Sequence, residues 1–122
     1  MSDYSPLHKP GQTITRQTSG AVTGGQVLIV SGSGTVAAST AATHAWLGFA
    51  AHDAASGDYV TVEKDGVQRP IASGSITAGQ LVEPAAAGAV AAHTTGTNDF
   101  NVIGLALTSA TNGQQVEVAP IR

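Results

Sequence analysis

Val22-Thr23-Gly24-Gly25-Gln26-Val27-Leu28-Ile29-Val30 is answered 54 residues later by Ile76-Thr77-Ala78-Gly79-Gln80-Leu81-Val82. The match continues outward from there. Gly34-Thr35-Val36-Ala37-Ala38 returns as Gly88-Ala89-Val90-Ala91-Ala92. Leu47-Gly48-Phe49-Ala50 returns, now after 56 residues, as Ile103-Gly104-Leu105-Ala106, and Gly57-Asp58-Tyr59-Val60-Thr61-Val62 as Gly113-Gln114-Gln115-Val116-Glu117-Val118. Four blocks in one order with a single two-residue slip form a tandem repeat over about 22–62 and 76–118. A long unit present only twice implies one domain built from two related halves. Neither half has enough apolar side chains to stand alone.

The flanking sequence reads as short strands. Val27 to Val30 is a continuous apolar run, as in a strand covered on both faces. Ser31-Gly32-Ser33-Gly34 is a turn from which Thr35-Val36-Ala37 returns, and Trp46 to Ala50 resumes strand character. Tyr59 to Glu63 alternates, and Lys64-Asp65-Gly66 predicts a hairpin turn into an edge strand over Val67 to Ile71, kept at the edge by Pro70. Gln80 to Glu83, Ala89 to Ala91, Val102 to Leu107 and Gln114 to Ala119 repeat the plan. Residues 39–46 are the one place where a helical turn is expected, weakened by Ser and Thr. Thr94 to Asp99 is a polar loop carrying the two extra residues of the second copy. The fold expected is all-β: a small β-barrel or β-tulip-like domain of two related halves, with little helix.

Residues 1–12 stand apart from this pattern. Pro6, Pro10 and Gly11 prevent regular pairing, so an extended amino-terminal arm is expected ahead of a single β domain over 13–122, opened by a short strand at Gln12 to Arg16.

Composition narrows the function classes. Ala, Gly, Ser and Thr supply 60 of the 122 residues, and Leu, Ile, Val and Phe only 26. Such a core buries little area per residue, so self-association or docking on a larger surface is the expected source of further burial. Charged residues are 11% of the chain, against about 25% in typical domains, and net charge is -3. The five basic residues are scattered and the pI is about 5.6, which argues against a direct nucleic-acid partner. There is no cysteine, hence no disulfide or thiolate chemistry. No signal-peptide pattern opens the sequence, and no apolar run approaches the roughly 18 residues of a membrane span.

Chemical motifs are few. Gly32-Ser33-Gly34-Thr35-Val36-Ala37 has G-x-G-x-x-A spacing after an apolar strand, with Asp53 about twenty residues on, but no further βα units follow and the repeat's second copy lacks the pattern. It reads as a hairpin turn. His8, His44, His52 and His93 share no metal-ligand spacing and read as surface residues. Asp53, Asp58, Glu63, Asp65, Glu83, Asp99 and Glu117 are separated by turns and read as solubilising charges. No nucleophile motif is present, so no catalytic, metal or cofactor site and no small-molecule substrate is expected. Trp46, whose counterpart is Val102, is assigned to the core between the halves, with an interface anchor as the alternative.

Taken in order, Pro10-Gly11 with Ile14-Thr15, Val22 to Val27, Leu47 to Ala50, Ser56 to Val62, Ile76 to Val82, Ile103 to Leu107 and Gly113 to Val118 resemble the capsid cement or head decoration proteins of tailed bacteriophages. The resemblance runs from Pro10 to Val118. It implies a homotrimer on the outer surface of a phage capsid that stabilises contacts between major capsid protein subunits, in a virion whose parts are made in the bacterial host cytoplasm. It implies no enzyme activity. It also implies capsid contact through the amino-terminal arm by strand addition, for which the candidate residues are Tyr4, Leu7, His8, Lys9, Pro10, Ile14 and Arg16. The competing reading is a virion or cell-surface β domain that binds carbohydrate or a host protein. It requires exposed aromatic platforms, and only Tyr4, Trp46, Phe49, Tyr59 and Phe100 are aromatic.

Overall fold

A computed structural model describes residues 13–121. The first half contributes β1 (Ile14–Thr18), β2 (Val27–Gly32), β3 (Thr35–Ala38), β4 (Trp46–Ala50) and β5 (Tyr59–Glu63). These close into a barrel in the order β1-β3-β2-β4-β5, with β1 parallel to β3 and antiparallel to β5. The second half contributes β6 (Leu81–Pro84), β7 (Val90–Ala92), β8 (Gly104–Ala106) and β9 (Val118–Pro120), an antiparallel sheet in the order β7-β6-β8-β9. The all-β expectation holds, and helix among the described residues is confined to two 3₁₀ turns, Ala86–Gly88 and Asp99–Asn101. The helical turn expected over residues 39–46 is absent. Ser39 is instead tied into the contact between the halves, its hydroxyl donating to the Ala85 carbonyl and its carbonyl accepting from the Gly88 N–H.

Register reproduces the sequence repeat pair by pair. Leu28↔Ala38 and Leu28↔Gly48 in the first half become Val82↔Ala92 and Val82↔Gly104 in the second. Ala50↔Val62 becomes Ala106↔Val118. The equivalence also runs upstream of Val22. Ile14↔Val62 and Gln17↔Tyr59 recur as the single bridges Gln68↔Val118 and Ile71↔Gln115, and the parallel pair Thr18↔Val36 recurs as Ala72↔Val90. Residues 68–72 therefore stand in for β1. Pro70 occupies the place of Arg16 and removes the donor a continuous ladder needs, so this segment bridges without becoming a strand. The hairpin expected at Lys64-Asp65-Gly66 does not form. Residues 67–71 leave β5, and Gln68 and Ile71 bridge to Val118 and Gln115 at the end of the second half, because the repeat assigns them to that half.

A four-residue turn explains the most repeated motif. In Thr23–Gln26, Thr77–Gln80 and Thr111–Gln114 the fourth residue's N–H returns to the first residue's carbonyl, at 3.1, 3.0 and 3.0 Å. Each third residue is a glycine at φ +90, +91 and +86, the left-handed conformation such turns demand. Each Gln Oε1 accepts from the opening Thr N–H, closing the turn a second time.

Two cores result. One fills the first barrel with Val22, Leu28, Val36, Ala50, Val60 and Val62. Their counterparts Ile76, Val82, Val90, Ala106, Val116 and Val118 form the core of the second half, but there they merge with Val27, Trp46 and Phe49, which reach across from the first half. Trp46 thus belongs to the core between the halves, as read from the sequence. Val27 and Leu28 are fully buried, whereas Val30 is exposed, so β2 is covered on both faces only at its start. The Ser31 to Gly34 stretch is the β2–β3 hairpin and carries no nucleotide-binding geometry.

Candidate assembly surface

Of the residues expected to contact a partner, Tyr4, Leu7, His8, Lys9 and Pro10 lie outside the described residues. Ile14 and Arg16 open β1. Ile14 is half-buried against the first core and pairs with Val62. Arg16 is half-buried, and its guanidinium donates to the Thr15 carbonyl at 3.0 Å. On the β5 side β1 is laddered from Ile14 to Gln17, while on the β3 side pairing reaches only Gln17 and Thr18. The structure thus brings Ile14 and Arg16 together in the barrel wall, at the point where the chain enters from residues 1–12.

The seam between the halves is a packed contact surface. Gln26 Nε2 donates to the Ala87 carbonyl at 2.9 Å, Ser39 Oγ to the Ala85 carbonyl at 2.8 Å, and the Gly88 N–H to the Ser39 carbonyl at 2.9 Å. A Cβ on Gly88 would sit 2.5 Å from Gln26 Cβ, so the 3₁₀ turn lies directly on the first barrel. Below this polar rim Val27 and Phe49 are fully buried against the second half. Buried apolar centre and hydrogen-bonded rim together make a stable, specific contact.

The second half also carries a charged cluster that sequence reading missed. His93 has a side chain only 1% exposed, with Nδ1 2.5 Å from Glu83 Oε1 and Nε2 2.8 Å from Asp99 Oδ1. Carboxylates only accept, so both contacts are hydrogen bonds when both ring nitrogens carry protons. The bond to Asp99, then that to Glu83, holds the imidazole's pKa above its ordinary 6.5, with desolvation opposing. The bond from His93, then that from the Gly96 N–H, holds the Asp99 carboxyl below its ordinary 3.8. His93 is therefore buried rather than a surface residue, and Glu83 and Asp99 are its partners rather than free solubilising charges. Asp53 likewise accepts from the Gly24 N–H at 2.8 Å. Signal for the cluster was present in the repeat: Glu83 replaces Ile29 and His93 replaces Ser39, two polar substitutions that the shared fold does not require.

The cluster anchors loop 94–101, which presents Phe100 at 87% exposure. With His44, Val102 and Ile121 that loop borders a cleft of about 600 Å³. Among the described residues no group of three His, Asp or Glu is arranged to hold a metal ion, and no helix is long and apolar enough to cross a membrane.

Comparison with known proteins gives two findings. The family model described as phage cement protein matches residues 8–121. Among solved structures, the crystal structure of the head fiber N base of bacteriophage phi29 superposes with a TM-score of 0.72 at 18% identity, covering 90% of this chain and 93% of that one. At that identity the likeness is one of fold. No curated protein matches the chain in sequence.

Proposed function

The chain belongs to the phage cement protein family, a structural family associated with phage capsids, and on that premise we propose that it is a decoration protein of the outer capsid surface. It binds the outside of a phage head as a homotrimer and stabilises contacts between major capsid protein subunits. The family match over residues 8–121 carries this reading. The physical character of the surface supports it. With only 11% charged residues, small side chains dominate the exterior and permit close packing on a protein shell. Many copies on one lattice turn modest single-site affinity into large collective stabilisation.

Contact with the shell runs through the amino-terminal arm, with Tyr4, Leu7, His8, Lys9 and Pro10 ahead of Ile14 and Arg16. Strand addition from an extended arm supplies main-chain hydrogen bonds without demanding charge. Deleting residues 2–12 tests this. The barrel begins at Ile14, so the shortened chain keeps its β circular dichroism signal, while co-sedimentation with capsids is lost. Undiminished co-sedimentation would refute the arm's role.

A further inference from the structure

Each side of the seam inside the chain has a counterpart elsewhere in the molecule. The repeat carries each side of the seam to an equivalent position in the other half. The first half's side, Gln26, Ser39 and Phe49, becomes Gln80, His93 and Leu105. The second half's side, the turn around Ala85 to Gly88 with Gln115 beside it, becomes Ser31 to Gly34 with Tyr59.

Burial separates the filled from the unfilled positions. Phe49 is fully buried, and its counterpart Leu105 is 37% exposed. Gly88 is crowded by Gln26, whereas Gly34, with nearly the same left-handed backbone (φ +78 against +70), has nothing within 4 Å of its Cβ position. Gln115 lines a small cleft at the seam with Gly24 and Gln26, while Tyr59 projects into solvent at 64% exposure. Phe100 fits the same mapping. It is the counterpart of His44, with which it lines one cleft, and it is the most exposed aromatic among the described residues, at 87%.

We propose that copies of this chain associate head to tail through this repeated seam, the outer face of one copy's second half receiving the Ser31–Gly34 hairpin and Tyr59 of the next copy's first half. Two unlike faces on one subunit make a heterologous contact, which closes into a ring when the rotation per step permits. The occupant is a second copy because the faces are those the chain already joins internally. Gln80 takes the role of Gln26 against the Ser33 carbonyl, and Leu105 and Phe100 supply the apolar contact. One seam bond does not carry over: His93, engaged by Glu83 and Asp99, cannot repeat the Ser39 hydroxyl's bond. The number of copies rests on the homotrimer reading above, under which six half-units complete the ring.

Light scattering on the full chain and two surface variants, Phe100→Asp and Tyr59→Asp, tests the proposal. Both sites face solvent, and circular dichroism checks that folding is kept. Wild type is expected near ~36 kDa, three times the 12.1 kDa chain. Each variant alone falls about threefold, to the mass of one chain. An equimolar mixture recovers two-chain particles and nothing larger, because one intact contact remains per pair. Wild-type mass in both variants would overturn this interface and leave the trimer reading standing. A mixture that stays monomeric would overturn head-to-tail pairing. A wild type that is monomeric throughout a concentration series would overturn both the proposed contact in solution and the preformed trimer.

Discussion

The two halves share one plan and use it differently. In the first, β1 seals a barrel whose inner core is self-contained, while Val27, Trp46 and Phe49 on its outer side serve the other half. In the second, Pro70 breaks the strand equivalent to β1, and of the outer residues Leu81 is only half-buried and Leu105 is exposed. One sequence pattern thus yields a buried side chain or an exposed one according to what lies next to it. Burial here is a property of neighbours.

Paired substitutions at equivalent sites break this comparison most directly. Phe49→Ala is expected to destabilise by about 3–5 kcal/mol in denaturant unfolding, and Leu105→Ala by about 1 kcal/mol, since only the former leaves a cavity in a closed core. Equal costs would mean that the seam is not packed as described. Next comes the glycine pair. Alanine at Gly34 costs about 1–2 kcal/mol for its left-handed backbone alone, whereas alanine at Gly88 adds the collision with Gln26 and costs about 2–4 kcal/mol. Gln26→Ala removes both a turn bond and the seam bond to Ala87, and Gln80→Ala only the turn bond. A difference of about 1 kcal/mol in thermal or urea unfolding is expected.

The smallest effect is specific to the second half, because Ser39 does not titrate and His93 does. His93 has a raised pKa when folded, so its stabilisation is complete below pH 6.5 and is lost as pH rises through the raised value. Asp99 has a lowered pKa, so its share is present above pH 3.8 and is lost as pH falls through the lowered value. Exchange protection of the Gly96 and Val102 amides, normalised for intrinsic rates, should therefore be greatest between these limits and decline toward alkaline pH. His93→Asn should flatten the alkaline decline. A wild-type profile without it would show that the imidazolium does not hold the loop.

Much of this was legible in the residues because it is local. The Ser31 to Gly34 hairpin and the alternating strands follow from backbone preferences and side-chain period. Strand ends were shifted where pairing decides them: β9 begins at Val118 although Gln114 already looked extended, and the Lys64 to Gly66 turn suggested a hairpin whose second strand belongs to the other half. His93 escaped notice because its partners are 10 residues before it and 6 after it, at no helical or strand spacing.

By itself the sequence determined a twofold repeat, an all-β domain and a chain with no evident catalytic chemistry, since composition, turn glycines and self-similarity are written along the chain. Tertiary structure alone decided which copy of each repeated residue is buried, why residues 68–72 bridge rather than ladder, and that Glu83, His93 and Asp99 meet. Those outcomes depend on where the second half packs against the first. Identical local preferences are satisfied in both halves, and only long-range contact makes them unequal.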